Sequence, residues 1–217
     1  TYILIWVLLG GVNAMFTSCG DFLDQESDRV ISADKDRLNA ASDTLYSVIG
    51  IMNKLQALSD RTILLGELRG DLSEVQDNAS ADLRELANFN ISTGNKYNAP
   101  RDYYAVINNC NYFLAKADTM VKNSKNERIF AKEYAAVKAF RAWTYLQLVL
   151  NYGKVPLITT PILTKDDADR QYEMKDIQGI CNYFASDIAQ YANVETPNYG
   201  TIRGNDSKLF YFPIYVL

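Results

Sequence analysis

Hydrophobic residues recur at steps of three and four along four stretches of the chain, which is the spacing of one face of an α-helix. The first stretch runs from Leu38 to Leu55. The second begins at Pro100, a residue that suits the first turn of a helix, and continues to Val121. The third covers residues 127–151, and the fourth covers about residues 174–193. The pattern therefore predicts a mainly α-helical fold.

The third predicted helix differs from the others because its second half, from Ala139 to Leu150, is apolar nearly all round. A helix without a polar face is expected at the centre of a fold. Gly153 supplies the left-handed position that often ends a helix, and Pro156 blocks its continuation. The apolar segment Val155 to Leu163 is then predicted to be extended.

Between the first two helices, residues 59–99 lack regular spacing and are rich in Asp, Asn, Ser and Gly. They are predicted to form a long, partly ordered excursion, with short helical pieces at Ile63 to Leu68 and Leu83 to Phe89. Long excursions of this kind are often functional. Residues 194–208 are predicted to be a polar loop, and the apolar stretch from Lys208 to Leu217 is interpreted as an element of a longer protein.

Composition narrows the possible functions. The chain has 217 residues and is 48% hydrophobic, which indicates one folded unit with a sizeable core. It carries 22 Lys and Arg against 26 Asp and Glu, a net charge of −4 that argues against nucleic-acid binding. It has no His, which excludes Ser-His-Asp triads and histidine zinc sites. No metal and no cofactor is predicted.

The N-terminal segment predicts a membrane anchor. Residues 1–18 contain no charged side chain and open with an apolar run that is typical of a lipoprotein signal peptide. The sequence Phe16-Thr17-Ser18-Cys19 resembles a lipobox, in which the cysteine is lipidated. We therefore expect a signal peptide over 1–18, a lipidated tether over 19–31 and a folded domain over 32–217, held on the membrane without spanning it. Cys110 and Cys181 are expected to be two buried thiols, with a disulfide between them in an oxidising compartment as the open alternative.

One long motif carries a family resemblance. Residues 133–159 read EYAAVKAFRAWTYLQLVLNYGKVPLIT. They resemble the signature helix of the SusD/RagB family, with its E-A, basic, R-A and aromatic positions followed by L-V and Y-G-x-V-P-L-I. Supporting pieces occur in the family's order at Cys19 to Asp24, Glu67 to Asp71 and Tyr104 to Asn111. The resemblance covers nearly all of residues 19–217 and identifies them as an N-terminal portion.

This resemblance implies a SusD-like fold with tetratricopeptide-like helix pairs and long loops. It further implies a lipid-anchored protein on the outer surface of the outer membrane, in bacteria of the Bacteroidetes. Its expected ligand is a glycan, and its expected partner is a SusC-like TonB-dependent transporter. No enzymatic activity is expected.

Sugar binding needs flat aromatic faces together with polar side chains that answer the sugar hydroxyls. Trp6 lies in the signal peptide and Trp143 in the central helix, so tyrosine is expected to supply the aromatic face. Tyr103 lies on an apolar stripe and is predicted to be core. The candidate glycan-binding residues, in the region where the family places part of its ligand surface, are Arg69, Asp71, Asn90, Asn95, Tyr97 and Tyr104.

Other interpretations stay open at this point. Tyr97 is equally consistent with an exposed loop aromatic, and Arg69 and Asp71 with a local ion pair. A peptide-capturing member of the same family and a helical protein-interaction adaptor are alternative functions. An enzyme would have to use acidic side chains of the excursion for glycoside hydrolysis, for which the candidates are Glu67, Asp71, Glu74 and Asp77.

Overall fold

The computed structural model of the chain describes Leu38 and residues 41–70, 72–118, 120, 122, 124, 126 and 131–192. The predicted signal peptide, the tether with Cys19 and the binding candidate Asp71 lie outside the described residues. So do residues 193–217, with the predicted polar loop and apolar C-terminal element.

Helix α1 spans Ala41–Glu67, 27 residues, and is longer than the sequence indicates. The predicted excursion was wrong for residues 59–67, because the helix continues through them. Leu58 and Leu65 are both buried and keep the apolar spacing, and the predicted short piece at Ile63 to Leu68 forms the end of α1. The polar run around Asp60, which suggested a loop, lies on the exposed side of the helix.

The short helix α2, Ala81–Ala87, falls within the excursion near the predicted piece at Leu83 to Phe89. Ser80 caps its N-terminus by accepting a hydrogen bond from the Leu83 amide. Leu86 of α2 packs with Leu65 and Leu68 in a small second core. This apolar contact holds α2 against the end of α1.

Helix α3 spans Pro100–Lys116 and begins at the proline, as predicted, but it ends before the predicted Val121. Ala117 is extended and pairs with Leu38, whose amide donates to the Lys116 carbonyl over 3.2 Å. This pairing replaces the next helical turn. Met120 would lie on the apolar face of the longer helix that the spacing predicts, but in the structure it is 65% exposed.

Helix α4, Ala131–Tyr152, is the centre of the fold and contacts α1, α3 and helix α6 (Ile177–Ala189). Its predicted central position is confirmed, since the run from Ala135 to Ala142 is buried without interruption. Small alanines on several faces of α4 let the neighbouring helices approach closely. The described helices confirm the mainly α-helical class.

Beyond α4, strand β1 (Val155–Pro156) pairs antiparallel with strand β2 (Met174–Lys175), and the four-residue helix α5, Lys165–Ala168, lies between them. Helix α6 therefore begins at Ile177, not at the predicted Met174, because residues 174–175 form a strand and the Asp176 side chain caps the helix. The Tyr145 hydroxyl accepts from the Ile158 amide over 2.7 Å and fixes the extended segment after β1 against α4.

Buried charges join α4 to α6. Asp187 accepts from Lys138 Nζ over 2.5 Å and from Arg141 Nη2 over 2.9 Å. Arg141 also donates to Asn111 Oδ1 of α3 over 2.8 Å, so the network spans three helices. Each charge has an opposite or polar partner, which burial of charges requires.

The two described cysteines are both free, but only one of them is buried. Cys110 lies in the core between α3 and α4, whereas Cys181 is exposed on α6. The expectation of two buried thiols was therefore wrong for Cys181, because it lines an open groove between α4 and α6. Among the described helices, none has the length and apolar character needed to cross a membrane.

Candidate functional site

A cleft of about 210 Å³ opens where the end of α1, the loop after α2 and the end of α4 meet. Its lining combines two tyrosines and three polar or charged side chains with two aliphatic residues: Leu65, Arg69, Ile91, Tyr97, Asn98, Asn151 and Tyr152. Aromatic faces with convergent hydrogen-bonding groups in a concave site are what a small polar ligand needs. We call this the tyrosine cleft.

Arg69 is held in the tyrosine cleft by two neutral acceptors. Its Nε donates to the Leu65 carbonyl at the end of α1. Its Nη2 donates to Asn151 Oδ1 over 2.6 Å, and Asn151 in turn donates to the Gln147 carbonyl of α4. Arg69 thereby joins α1 to α4, and within the described part of the chain its Nη1 is left for a ligand.

Tyr97 is positioned by hydrogen bonds of Asn95 and Glu85 in and beside the loop after α2, a pair that we call the polar hub. Asn95 is buried, and its amide donates to Glu85 Oε2 over 2.9 Å and to the Asp82 carbonyl over 3.0 Å. Its carbonyl oxygen accepts from the Tyr97 backbone amide over 3.0 Å. The hydrogen bonds of Asn95 and Ser92 hold the pKa of Glu85 below its ordinary value, which means that they favour the charged carboxylate.

Tyr152 continues the cleft towards the core. Its ring meets the fully buried ring of Tyr103 edge-on, with centroids 6.3 Å apart. Burial raises the pKa of both tyrosines, and the guanidinium charges of Arg61 and Arg69 oppose the rise. The Tyr103 hydroxyl is buried and has no hydrogen-bond partner among the described residues. Tyr103 is core, as predicted.

The structure brings two of the predicted glycan-binding residues, Arg69 and Tyr97, into one cleft. Asn95 lies below the cleft, with its side chain engaged in the hub, and Asn90 is exposed in the same loop without lining the cleft. Tyr104 lies elsewhere, donating to the Pro156 carbonyl over 2.9 Å, and burial raises its pKa. The alternative ion pair of Arg69 with Asp71 stays a prediction.

Three further polar or aromatic residues of the cleft were not predicted from the sequence: Asn98, Asn151 and Tyr152. Asn151 and Tyr152 belong to the signature motif, where they were interpreted only as the end of a helix. Asn98 directly follows the candidate Tyr97 in an irregular loop, and this adjacency is the one sequence feature that could have indicated it. Glu85 was missed as well, because its role depends on contacts that only the folded loop creates.

A second and larger concavity is unsuited to sugars. This groove of about 320 Å³ lies between α4 and α6 and is lined by apolar side chains, among them Leu146, Phe184 and Ile188. The described side chains that line it include no donor or acceptor beyond the weakly polar Cys181 thiol. The smaller tyrosine cleft is therefore the better candidate for a polar ligand.

Three of the four acidic residues considered for catalysis, Glu67, Glu74 and Asp77, do not line the tyrosine cleft, and Asp71 lies outside the described residues. Glu74 and Asp77 are exposed in the stretch before α2, and Glu67 is half-buried at the end of α1. Within the parts of the chain that the structure describes, no group of three or more Cys, Asp or Glu side chains is placed to hold a metal ion.

Two solved structures resemble this fold. A SusD superfamily protein from Bacteroides thetaiotaomicron matches with a TM-score of 0.60 and 20% sequence identity, over 81% of this chain and 40% of its own. A SusD-like protein from Bacteroides fragilis matches with a TM-score of 0.58 and 17% identity, over 75% of this chain and 31% of its own. The chain has a SusD-like fold.

The SusD-like fold agrees with the resemblance that residues 133–159 carry, since those residues form the central helix α4 and the strand after it. The chain spans less than half the length of either structure that it matches. No protein-family model matches the sequence, and no curated protein matches it either. The function of the tyrosine cleft in this SusD-like chain is therefore inferred from the side chains that line it.

Proposed function

We propose that this chain is part of a surface lipoprotein that captures an oligosaccharide or polysaccharide in the tyrosine cleft and delivers it to a SusC-like TonB-dependent transporter. The observation that carries the proposal is the meeting of Arg69, Tyr97 and Tyr152 in one open cleft on a SusD-like scaffold. Binding without a bond-making step is sufficient for this role.

The chemistry of the cleft supports a sugar ligand. Tyr97 and Tyr152 offer aromatic faces for the C–H faces of a sugar ring. Within the described residues, the Asn98 side-chain oxygen and the Tyr97 hydroxyl make no hydrogen bond, so both are open to sugar hydroxyls. An affinity between millimolar and micromolar, about −4 to −8 kcal/mol, suits capture followed by release to a transporter.

The test is isothermal titration of the full-length protein against a glycan panel and a peptide panel. Tyr97→Ala is expected to weaken glycan binding by about 0.5–1.5 kcal/mol, the size of an aromatic contact. Tyr46→Ala is the matched control, because Tyr46 is 71% exposed and lies about 28 Å before Leu65 along α1, at about 1.5 Å per residue. Binding of peptides alone would favour the peptide-capturing alternative and overturn the glycan proposal.

Lipid anchoring needs a separate test, because Cys19 lies outside the described residues. We expect the parent protein to fractionate with the outer membrane and to be cleaved by protease added to intact cells. The Cys19→Ala variant is expected to leave the membrane fraction, since it lacks the acyl chains that hold the protein there. If both forms stay in the cytoplasm, surface capture is excluded and a helical adaptor becomes the better interpretation.

A further inference from the structure

The charges around the tyrosine cleft are unbalanced. Arg69 lines the cleft, and Leu65 and Asn151 offer it neutral oxygens. Among the described residues it has no carboxylate partner. Lys96 Nζ lies 4.8 Å from the centroid of the Tyr97 ring, which brings a second cation to a cleft-lining side chain.

Asp102 is a described carboxylate whose charge acts on the cleft residue Tyr152, and it is already paired. Asp102 Oδ2 accepts from Arg61 Nη2 over 2.5 Å, and Asp102 Oδ1 lies 3.5 Å from Arg101 Nε. Arg61 also donates to the Ala99 carbonyl, at the end of the loop that carries Tyr97. One carboxylate, that of Asp102, thus serves the guanidinium groups of both Arg61 and Arg101. The described residues that line the cleft include no acid.

Among the described residues the half-buried Arg69 guanidinium has no counter-charge, and such a group favours an anionic ligand. Removing a cation from water is costly, and an anion supplied by the ligand offsets this cost. A hydrogen bond from Arg69 to an anionic oxygen is also stronger than one to a neutral sugar hydroxyl, because the donor and the acceptor then carry opposite charges.

We infer that the tyrosine cleft selects acidic glycans, those that carry a carboxylate or a sulfate group, and that Arg69 is the residue that reads this charge. The inference rests on the glycan-capture function proposed above and names the class of its ligand. Lys96 and the surplus guanidinium charge near Asp102 add attraction at longer range, which salt screens.

The test uses pairs of oligosaccharides that differ only in charge, titrated into the full-length protein. Uronate oligosaccharides are paired with their methyl esters, and sulfated oligosaccharides with their desulfated forms. For the pairs that bind, the charged member is expected to bind at least about tenfold more tightly, and raising the salt from about 0.1 M to about 1 M is expected to shrink the ratio. The uronate and sulfate arms show which anion the cleft prefers.

Two variants assign the preference to Arg69. Arg69→Gln is expected to bring the affinity ratio within each pair close to one, because it lowers the affinity for the charged member more than the affinity for the neutral member. Arg69→Lys keeps the charge and is expected to retain most of the preference. Lys54→Gln is the control, since Lys54 is exposed on α1, about 16 Å before Leu65 along the helix axis.

The possible failures are distinguishable. Equal affinities within every pair would overturn the inference and leave glycan capture standing. A charge preference that survives in Arg69→Gln would also overturn it, because another group would then read the anion. If no glycan of either kind binds, the proposed function fails together with the inference.

Discussion

Asn95 Nδ2 lies 2.9 Å from Glu85 Oε2, and this contact fastens the loop that carries Tyr97 to helix α2. The same carboxylate oxygen accepts from the Ser92 amide over 3.0 Å and from the Ser92 hydroxyl over 2.8 Å. One acidic side chain therefore organises an irregular loop that has no regular backbone ladder. The shape of the tyrosine cleft depends on this pair.

Replacing Asn95 by Ala is expected to loosen the loop and weaken ligand binding. The buried amide makes three hydrogen bonds, and leaving their partners unsatisfied costs about 1–3 kcal/mol of local stability. Calorimetric titration and a thermal melt measure the two effects. Asn53→Ala, at an exposed position of α1, is the control and is expected to change neither. Unchanged affinity in Asn95→Ala would show that Tyr97 does not need the hub.

Acid is expected to release the same loop. The pKa of Glu85 lies below its ordinary value of 4.5 because the folded loop hydrogen-bonds the charged form. The stabilisation is therefore present above pH about 4.5 and is lost as the pH falls through the lowered folded value. Hydrogen-exchange protection of the loop amides, measured as a protection factor at each pH, is the readout.

The control for this pH dependence is Glu85→Gln, which has no titrating group at the hub. Its loop amides are expected to show weaker protection that does not change across the same acid range. A parent loop that stays equally protected at pH about 2 would contradict the role given to the Glu85 carboxylate.

The buried ion network predicts a large loss of stability in Asp187→Asn. The substitution leaves Lys138 and Arg141, whose side chains are 11% and 4% exposed, without their counter-charge. Breaking a buried pair from one side costs about 3–5 kcal/mol. Asp166→Asn, on exposed helix α5, is expected to stay within about 0.5 kcal/mol in the same urea titration. If Asp187→Asn also changed the free energy of unfolding by so little, the ion pairs of Asp187 would not contribute to stability as buried pairs do.

The two described thiols are expected to differ in reactivity. Burial raises the pKa of Cys110 to about 12, with Arg141 opposing the rise, whereas Cys181 is exposed. Because the thiolate is the reactive form, Cys181 is expected to account for a fast phase with a thiol reagent at pH about 8. Cys181→Ser is expected to remove this phase and Cys110→Ala to leave it unchanged. The opposite pattern would contradict the packing of α3 against α4.

The sequence by itself determined the helical class, the central place of α4 and the helix start at Pro100, because each depends on local periodicity or on a residue with one strong conformational preference. It also directed attention to Arg69 and Tyr97. The helix ends predicted from the sequence were less accurate than the helix positions. Whether α1 continues past residue 59 depends on Leu58 and Leu65 finding partners, and whether α3 stops at Lys116 depends on the bridge to Leu38.

Only the tertiary structure decided the composition of the tyrosine cleft. Asn151 lies 82 positions from Arg69 in the sequence, and no local pattern shows that their side chains meet. Asn90 and Asn95 are the same residue type in the same loop. Asn95 is buried beside Glu85 and positions the loop, whereas Asn90 is exposed. Periodicity reports which face of an element is buried, whereas a site depends on which elements meet, and the packing of the whole chain sets that.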